Sequence, residues 1–309
     1  MNEKSIRKRK KLSSTALQDY SLALIPILYV FIFKYLPMGG IIIAFKDYRY
    51  DKGIFGSEWV GFRNFKFFFE SNDFVRITRN TLVMNAIFIV VGIAAALFVA
   101  IMLYAIVSRR QTKVFQTILI TPHFLSWVVV AYMLYGFLNT KYGILNTLLE
   151  TIGIKGVDWY SEASAWPIIL TIASVWKHVG MDSVTYYAAL MGMDSSLVEA
   201  AKVDGASRWQ IRWYIILPSL LPIITILTIL KIGGIFNADF GLFYQLPRNI
   251  GLLYKTTDVM DTYIFRTMRV VGDMGMSSAA GLLQSVVGLV MVIFTNWASK
   301  KIDKDNGLF

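Results

Sequence analysis

The chain has 309 residues, of which 56% are hydrophobic and only 17% are charged, whereas soluble domains usually carry about 25% charged residues. The apolar residues fall in blocks of about 20, the length that crosses the hydrocarbon core of a bilayer. This pattern excludes a soluble globular domain. The absence of cysteine excludes disulfides and thiolate metal sites, and two histidines, His123 and His178, are too few to suggest a histidine-rich metal centre.

The net charge of +11 would favour nucleic-acid binding in a soluble protein. In a membrane protein it indicates the excess of lysine and arginine in cytoplasmic segments. We therefore predict an all-α membrane protein without nucleic-acid partner, metal or cofactor. Six membrane-spanning helices are predicted, at residues 21–45, 81–107, 114–138, 166–190, 219–239 and 278–298.

Orientation depends on the short segments between spans, because raw totals of basic residues barely differ between the two sides. The basic cluster within residues 1–20, the short segment 109–113 and the lysines of residues 300–309 all favour the inside. We expect both termini to be cytoplasmic tails that flank a permease domain at 21–299. A cleavable signal peptide is the alternative for the N-terminus, but the apolar run is too long and no small-residue cleavage site follows it.

The loop between spans four and five, residues 191–218, is the least membrane-like of the inside segments. Asp194, Ser195 and Ser196 offer N-cap chemistry for a short helix, and the Asp204-Gly205 pair would end it. A helix lying on the cytoplasmic face has two interpretations that the pattern leaves open. It is either a docking surface for a soluble partner or an ordinary amphipathic interfacial helix.

The same loop reads EAAKVDGA from Glu199 and ends in IILP at Pro218. This pattern resembles the EAA signature of binding-protein-dependent ABC importer permeases, in which E-A-A, three residues, G, about nine residues and I-x-L-P follow one another. The loop also lies where that family has it, ahead of the second-last span. The residues that match the signature or flank it are Glu199, Ala200, Ala201, Asp204, Gly205 and Pro218.

Other stretches resemble carbohydrate-uptake permeases, and the match covers roughly residues 15–300. Residues 258–264 and 280–282 are similar to the polysaccharide and lipoprotein branch in particular; further similar stretches are 60–65, 80–82, 143–146 and 176–180. The resemblance implies a MetI-like fold, with a coupling helix between the fourth and fifth transmembrane helices. It also implies a multi-pass transport subunit of a bacterial cell membrane that imports an oligosaccharide or polysaccharide fragment and is not itself an enzyme.

The family's partners would be a cytoplasmic ABC ATPase dimer, a second and different permease, membrane lipid and an extracytoplasmic solute-binding lipoprotein that delivers the substrate. The chain has no G-x-x-x-x-G-K-[ST] phosphate loop, so ATP hydrolysis would come from the partner. Within the loop, Ala200, Ala201 and Gly205 would allow close approach. Glu199 would either contact the ATPase or cap the helix, and Pro218 would fix the angle between loop and span.

Ionisable residues inside spans are costly and therefore candidates for function. His178 and Asp182 are four residues apart and so share one helix face; Lys177 and Asp182 are an alternative pair that would only order packing. A sugar pathway also needs aromatic faces and hydroxyl-matching groups. The pathway candidates are Trp176, Lys177, His178, Asp182, Asn237 and Tyr244.

Three further interpretations concern the outer loop and the class of protein. The outer loop 258–265 would touch the binding protein, cover the cavity or simply fold without a ligand. A secondary transporter or channel that works alone would be expected to show inverted repeats, which the sequence lacks. A membrane-embedded enzyme would need a clustered acid–base or metal motif such as H-E-x-x-H, and none is present.

Overall fold

The computed structural model describes residues 14–302, so the basic cluster predicted as the first tail and most of the second tail lie outside the described residues. Two short strands, β1 (Lys46–Asp47) and β2 (Glu58–Trp59), pair antiparallel with Lys46 opposite Trp59. Everything else that is regular is helical, which confirms the predicted all-α class. The first helix begins at Ser14, inside the segment predicted as a tail.

The α-helices differ greatly in length, from single turns to more than 30 residues. They are α1 (Ser14–Val30), α2 (Leu36–Met38), α3 (Gly53–Gly56), α4 (Arg63–Glu70), α5 (Asn72–Tyr104), α6 (Arg109–Ile120), α7 (Trp127–Leu138), α8 (Ile144–Thr151), α9 (Trp166–Met191), α10 (Ser195–Val203), α11 (Arg208–Ile211), α12 (Leu217–Ser219), α13 (Leu221–Gly233), α14 (Phe240–Gln245), α15 (Tyr254–Thr257), α16 (Met260–Arg266) and α17 (Met274–Ile302).

Tighter and wider turns join several of these helices end to end. The 3₁₀ segments are Gly39–Phe45, Thr121–Phe124, Ala163–Ala165 and Gly251–Leu253, and the π-helical segments are Phe31–Tyr35, Arg212–Ile216 and Thr267–Val271. Proline follows two of the π segments closely, at Pro37 and Pro218. A proline removes one backbone donor and crowds the preceding turn, so the widened turn lets the helix continue through it.

Three continuous helical stretches are long and apolar enough to cross a membrane, at Tyr20–Phe45, Asn72–Tyr104 and Met274–Ala298. Two bent pairs raise the number to as many as five. Residues Arg109–Phe124 and Trp127–Leu138 meet at 96°, and Arg208–Ser219 and Leu221–Gly233 meet at 56°. The predicted third and fifth spans are therefore broken helices. The predicted fourth span corresponds to α9, which is 26 residues long.

Close packing of α5 and α9 forms the centre of the molecule. Ala96 and Ala100 of α5 are fully buried against Tyr186 of α9, and such small residues let two helix backbones approach closely. At one end of α9, Trp166 and Leu170 lie in the largest buried apolar cluster. At the other end α9 leads directly into the loop that carries α10 and α11.

Candidate functional site: a polar cavity and an exposed helical loop

The fifth predicted span unwinds between α13 and α14, and side chains from three other helices satisfy the exposed backbone. Asn85 Nδ2 of α5 donates to the carbonyl of Ile235 (2.7 Å). Gln284 Nε2 of α17 donates to the carbonyl of Phe236 (2.8 Å). Asp261 Oδ2 of α16 accepts a backbone N–H from the same segment (2.7 Å). Non-helical backbone inside a membrane protein needs such partners or water, so this break is a built feature of the fold.

A polar cavity of about 290 Å³ lies beside the break, between α5, α9 and α13. Such a concentration of polar side chains is unusual within membrane-spanning helices and marks a candidate pathway. Three of the six predicted pathway residues line it: His178, Asp182 and Asn237. The other polar residues of the lining are Asn85, Ser174, Lys231 and Asp239.

An ion pair crosses one side of this cavity. Lys231 Nζ of α13 lies 2.7 Å from Asp182 Oδ2 of α9, and each side chain is about one-third exposed. His178 Nδ1 lies 2.9 Å from the carbonyl of Ser174, one turn earlier in α9. His178 and Asp182 therefore share one face of the helix as their spacing predicted, and the partner of Asp182 is Lys231.

Lys177 does not pair with Asp182 and does not line the cavity. Its side chain is buried, and Nζ donates to the carbonyls of Pro122 (3.4 Å) and His123 (2.9 Å) and to that of Leu125. These carbonyls lie at the 96° bend between α6 and α7, where the regular helical hydrogen bonding is interrupted and, within the described residues, only that of Pro122 keeps a backbone donor, the N–H of Leu125. The geometry places Lys177 at the bend, as the cap of a broken helix.

Trp176 and Tyr244 also lie away from the polar cavity. Trp176 lines an apolar cavity of about 430 Å³ between α7 and α9. Tyr244 lines a separate cavity of about 240 Å³ between α7 and α14. Their role in a pathway stays a prediction.

Sequence reasoning missed the residues that shape the cavity through backbone contacts. Trp127 Nε1 donates to Asp239 Oδ2 (2.7 Å), which fixes the start of α14 against α7. Asp261 joins α16 to the broken helix through the backbone N–H of Ala238 and to α17 through the side chain of Gln284. Neither residue has a sequence signal of its own, because each acts on a segment far away in the chain.

The predicted loop forms two short helices, and α10 turns one face inward. Val198 and Ala201 pack against a buried cluster formed by Leu190, Ile211, Ile216 and Leu220. Asp194 Oδ1 accepts the backbone N–H of Ser196 (2.9 Å) and is the N-cap of α10. This hydrogen bond lowers the pKa of Asp194, which keeps the cap ionised. The second helix, α11, has a capping box between Ser207 and Gln210.

The opposite face of the loop is exposed and largely without partners. Glu199 is exposed and forms no hydrogen bond or ion pair with any residue of the described range 14–302. Because Asp194 caps α10, the alternative that Glu199 caps the helix is wrong. Val203 is 87% exposed and Trp209 64% exposed, and exposed apolar groups of this kind often mark interaction surfaces.

Gly205 and Pro218 lie where the loop turns. Gly205 has φ +79°, the left-handed conformation that ends many helices and suits glycine best. Pro218 follows the π segment and precedes the 56° bend into α13. Gly205 therefore forms the turn between α10 and α11. That Pro218 fixes the angle between the loop and the span stays a prediction.

The outer stretch after α15 is organised around one buried carboxylate. Asp258 is 1% exposed, forms an ion pair with Arg266 (2.7 Å) and a second one with Arg76 of α5 (2.9 Å), and accepts a hydrogen bond from Thr262. Burial alone would lower the pKa of Arg266, but the hydrogen bonds and charge of Asp258 raise it above its usual value. These contacts hold the stretch against α5. The residues of this stretch that resemble the polysaccharide branch therefore have a structural role.

These features define a multi-pass α-helical transport protein, with a broken helix and a polar cavity in the spanning part and an exposed helical loop at one end. Residues 89–304 match the family described as binding-protein-dependent transport system inner membrane component. The chain belongs to this family and is a transport subunit rather than an enzyme. Among residues 14–302, no group of acidic, histidine or cysteine side chains is arranged to hold a metal ion.

Similar proteins cover almost the whole chain. Protein LplB of Bacillus subtilis (strain 168) is 36% identical over 93% of this chain and 90% of its own length. The polygalacturonan/rhamnogalacturonan transport system permease protein YteP of the same organism is 32% identical, over 96% and 93%. A chain from the crystal structure of a bacterial ABC transporter involved in the import of the acidic polysaccharide alginate superposes with a TM-score of 0.85. It is 33% identical, with 94% of this chain and 97% of that chain covered.

Proposed function

We propose that this chain is one permease subunit of an ABC importer for an oligosaccharide or polysaccharide fragment. The exposed, partner-free face of the 191–218 loop is the observation that carries the coupling part of the proposal. The relatives support the substrate class, since one is named for polygalacturonan/rhamnogalacturonan transport and another structure for alginate import. The polar cavity beside the broken helix would be this subunit's share of the pathway.

The arrangement in the membrane follows from this assignment. Residues 21–299 would form the permease domain with six spans, counting α9 and the two bent pairs as one span each, and both termini would be cytoplasmic. In the first stretch, Tyr20–Phe45, only 6% of the most apolar part is buried within the chain. A second, different permease subunit and membrane lipid would cover that surface.

Two cytoplasmic ATPase subunits would drive the importer, one on the 191–218 loop of this chain and one on the corresponding loop of the second permease, with a solute-binding lipoprotein on the opposite side. The rings of Trp209 and Trp213 meet edge to face, with their centres 5.6 Å apart, on the exposed side of the loop, where they would extend the surface available to an ATPase. A single transporter or channel that works alone would have no use for this face. A transporter or channel that works alone is therefore the alternative, and the following experiment distinguishes it from an importer subunit.

Two substitutions in the loop test the docking function. Glu199→Lys reverses a charge on the exposed face, and Gly205→Asp adds a side chain where φ is +79°. Each should abolish recovery of the ATPase when the tagged chain is purified from its host. Glu199→Lys should change thermal unfolding little, and Gly205→Asp should cost about 1–2 kcal/mol of backbone strain without unfolding the spans. ATP-dependent uptake should be lost in parallel.

The chain offers a matched control for each change. Gly153 has the same φ of +79° and equally open surroundings, but it lies after α8 on the predicted outer side. Glu150 is exposed in α8 and suits the charge reversal. Gly153→Asp and Glu150→Lys should leave ATPase recovery intact. If ATPase association survives both loop variants, the docking function is wrong.

A further inference from the structure

Two cavities flank Arg248 beside the C-terminal half of α7. The smaller one, about 240 Å³, lies between α7 and α14, and the larger one, about 590 Å³, lies between the end of α7 and the segment that follows α14. Tyr135 and Arg248 line both cavities. They are separate from the polar cavity next to the broken helix, with which they share no lining residue.

The Arg248 side chain is held in place yet leaves its hydrogen-bond donors free. Its guanidinium carbon lies 4.4 Å from the centre of the Tyr135 ring, a cation–π contact that orients the plane of the group. Within residues 14–302 the guanidinium forms no ion pair and no side-chain hydrogen bond. An arginine whose guanidinium is held by an aromatic ring, and whose N–H donors are unpaired, is suited to binding a carboxylate.

The backbone below this side chain is strained. Arg248 has φ +57° and Asn249 φ +51°, two consecutive left-handed residues that are not glycine. Such conformations are uncommon for residues with a Cβ, and they persist where the surrounding structure fixes a side chain for a purpose. Tyr254 Oη donates to Asn249 Oδ1 (2.8 Å), which holds the turn in this shape.

The walls of the two cavities carry the groups that recognise sugars. Aromatic faces pack against the C–H faces of sugar rings, and amides bond to hydroxyls. Tyr132 and Tyr142 are 70% and 84% exposed, so other residues of the described chain leave their rings largely uncovered. The tyrosines that line the cavities are Tyr132, Tyr135, Tyr142, Tyr160 and Tyr244, and the amides are Asn139, Gln245 and Asn249.

The charge of the larger cavity is positive. Lys141 lines it as a second cation and, within the described residues, has no ion-pair partner. Asp158 accepts hydrogen bonds from the hydroxyls of Thr140 (3.0 Å) and Ser161 (2.8 Å), but it does not line the cavity and, within the described residues, forms no ion pair with Arg248 or Lys141. No carboxylate in the lining neutralises Arg248 or Lys141.

We infer that the residues around Arg248 form a subsite for the carboxylate groups of an acidic oligosaccharide. The substrate class would then be uronate-containing oligosaccharides, with Arg248 and Lys141 binding carboxylates and the tyrosines binding the sugar rings. This inference rests on the proposed function, because the subsite would bind an oligosaccharide on its way to the transport pathway.

The test uses the assembled importer, with its ATPase, partner permease and binding protein, in proteoliposomes. The probes are trigalacturonate and its fully methyl-esterified form, which differ in charge but hardly in shape. Arg248→Gln should raise the KM for uptake of the charged trimer roughly three- to tenfold, with kcat nearly unchanged. The KM of the ester should not change.

Glutamine has a Cβ, as arginine has, so the left-handed backbone at position 248 costs both residues about the same. The variant should therefore fold. Lys155→Gln is the matched control, because it removes one exposed positive charge from a neighbouring loop that lines neither cavity, and it should leave both KM values unchanged. An equal effect of Arg248→Gln on both probes, or no effect on either, would overturn the subsite.

The remaining outcomes separate the two proposals. ATP-driven uptake of uncharged oligosaccharides alone would overturn the subsite and leave the importer assignment standing. An assembled complex that moves no oligosaccharide with ATP would contradict the importer assignment itself.

Discussion

Three cations associated with the predicted spans and their outer ends have different environments in the fold. Lys177 caps carbonyls at the bend between α6 and α7, and Lys231 pairs with Asp182 in the polar cavity. Arg248 stacks on Tyr135 with its donors free. A charge in or near a membrane is retained when it has such a partner or a function, and only the surroundings reveal which of the two applies.

Lys177→Met should destabilise the protein, because the carbonyls of His123 and Leu125 at the bend would lose the donor that Lys177 provides. Leaving a buried acceptor unsatisfied costs about 1–3 kcal/mol, measurable as a lower midpoint of thermal unfolding in detergent. Lys34→Met is the control, since Lys34 is exposed and lacks a side-chain partner among residues 14–302. Normal stability of Lys177→Met together with lost uptake would show that Lys177 acts in transport and not as a cap.

At the scale of elements, close helix contacts depend on the absence of a side chain at particular glycines. A Cβ added to Gly180 of α9 would lie 2.0 Å from the carbonyl oxygen of Leu119 in α6. One added to Gly241 would meet the Trp127 ring at 2.3 Å. These positions allow α6 and α7, on either side of the 96° bend, to rest against α9 and α14.

Gly180→Ala should therefore force α6 and α9 apart. Overpacking of this kind costs about 1–3 kcal/mol, and the contact is with backbone atoms, which cannot move aside as a flexible side chain would. Thermal unfolding of the purified chain measures the loss. Gly136→Ala in α7 is the control, because nothing lies within 4 Å of its added Cβ; it should be neutral or slightly stabilising. Equal stability of the two variants would contradict the close contact.

At the scale of the whole molecule, the exposed loop and the polar cavity share two helices. The loop that contains α10 and α11 connects the end of α9 to the start of α13, and the Asp182–Lys231 pair joins the same two helices within the cavity. If an ATPase docks on the loop, as proposed, these two shared helices would connect the docking surface to the wall of the cavity.

Breaking the ion pair should weaken this connection. We expect Asp182→Asn or Lys231→Met to raise ATP hydrolysis by the assembled transporter in the absence of substrate, relative to uptake. The pair, about one-third exposed, should have a coupling energy of about 1 kcal/mol, measured from unfolding of both single variants and the double variant. Strictly additive effects, together with unchanged coupling of hydrolysis to uptake, would show that the pair has no such role.

Several properties of the chain could be predicted from the sequence because their causes are local. Runs of about 20 apolar residues specify membrane helices, Asp194 specifies the N-cap of α10, and the EAA pattern with Gly205 predicts where the loop turns. The spacing of His178 and Asp182 likewise places both on one helix face. Each of these signals depends on neighbours a few residues away, which a sequence shows directly.

Only the tertiary structure decided which partners those residues meet. Asp182 pairs with Lys231, 49 positions away, rather than with Lys177, because a side chain selects among all helices packed against its face. Side chains from other helices satisfy freed carbonyls at two breaks: Lys177 acts at the bend in the third predicted span, and Asn85 and Gln284 act where the fifth unwinds after α13. Hydropathy measures the cost of leaving water, and it contains no information about such contacts between distant segments.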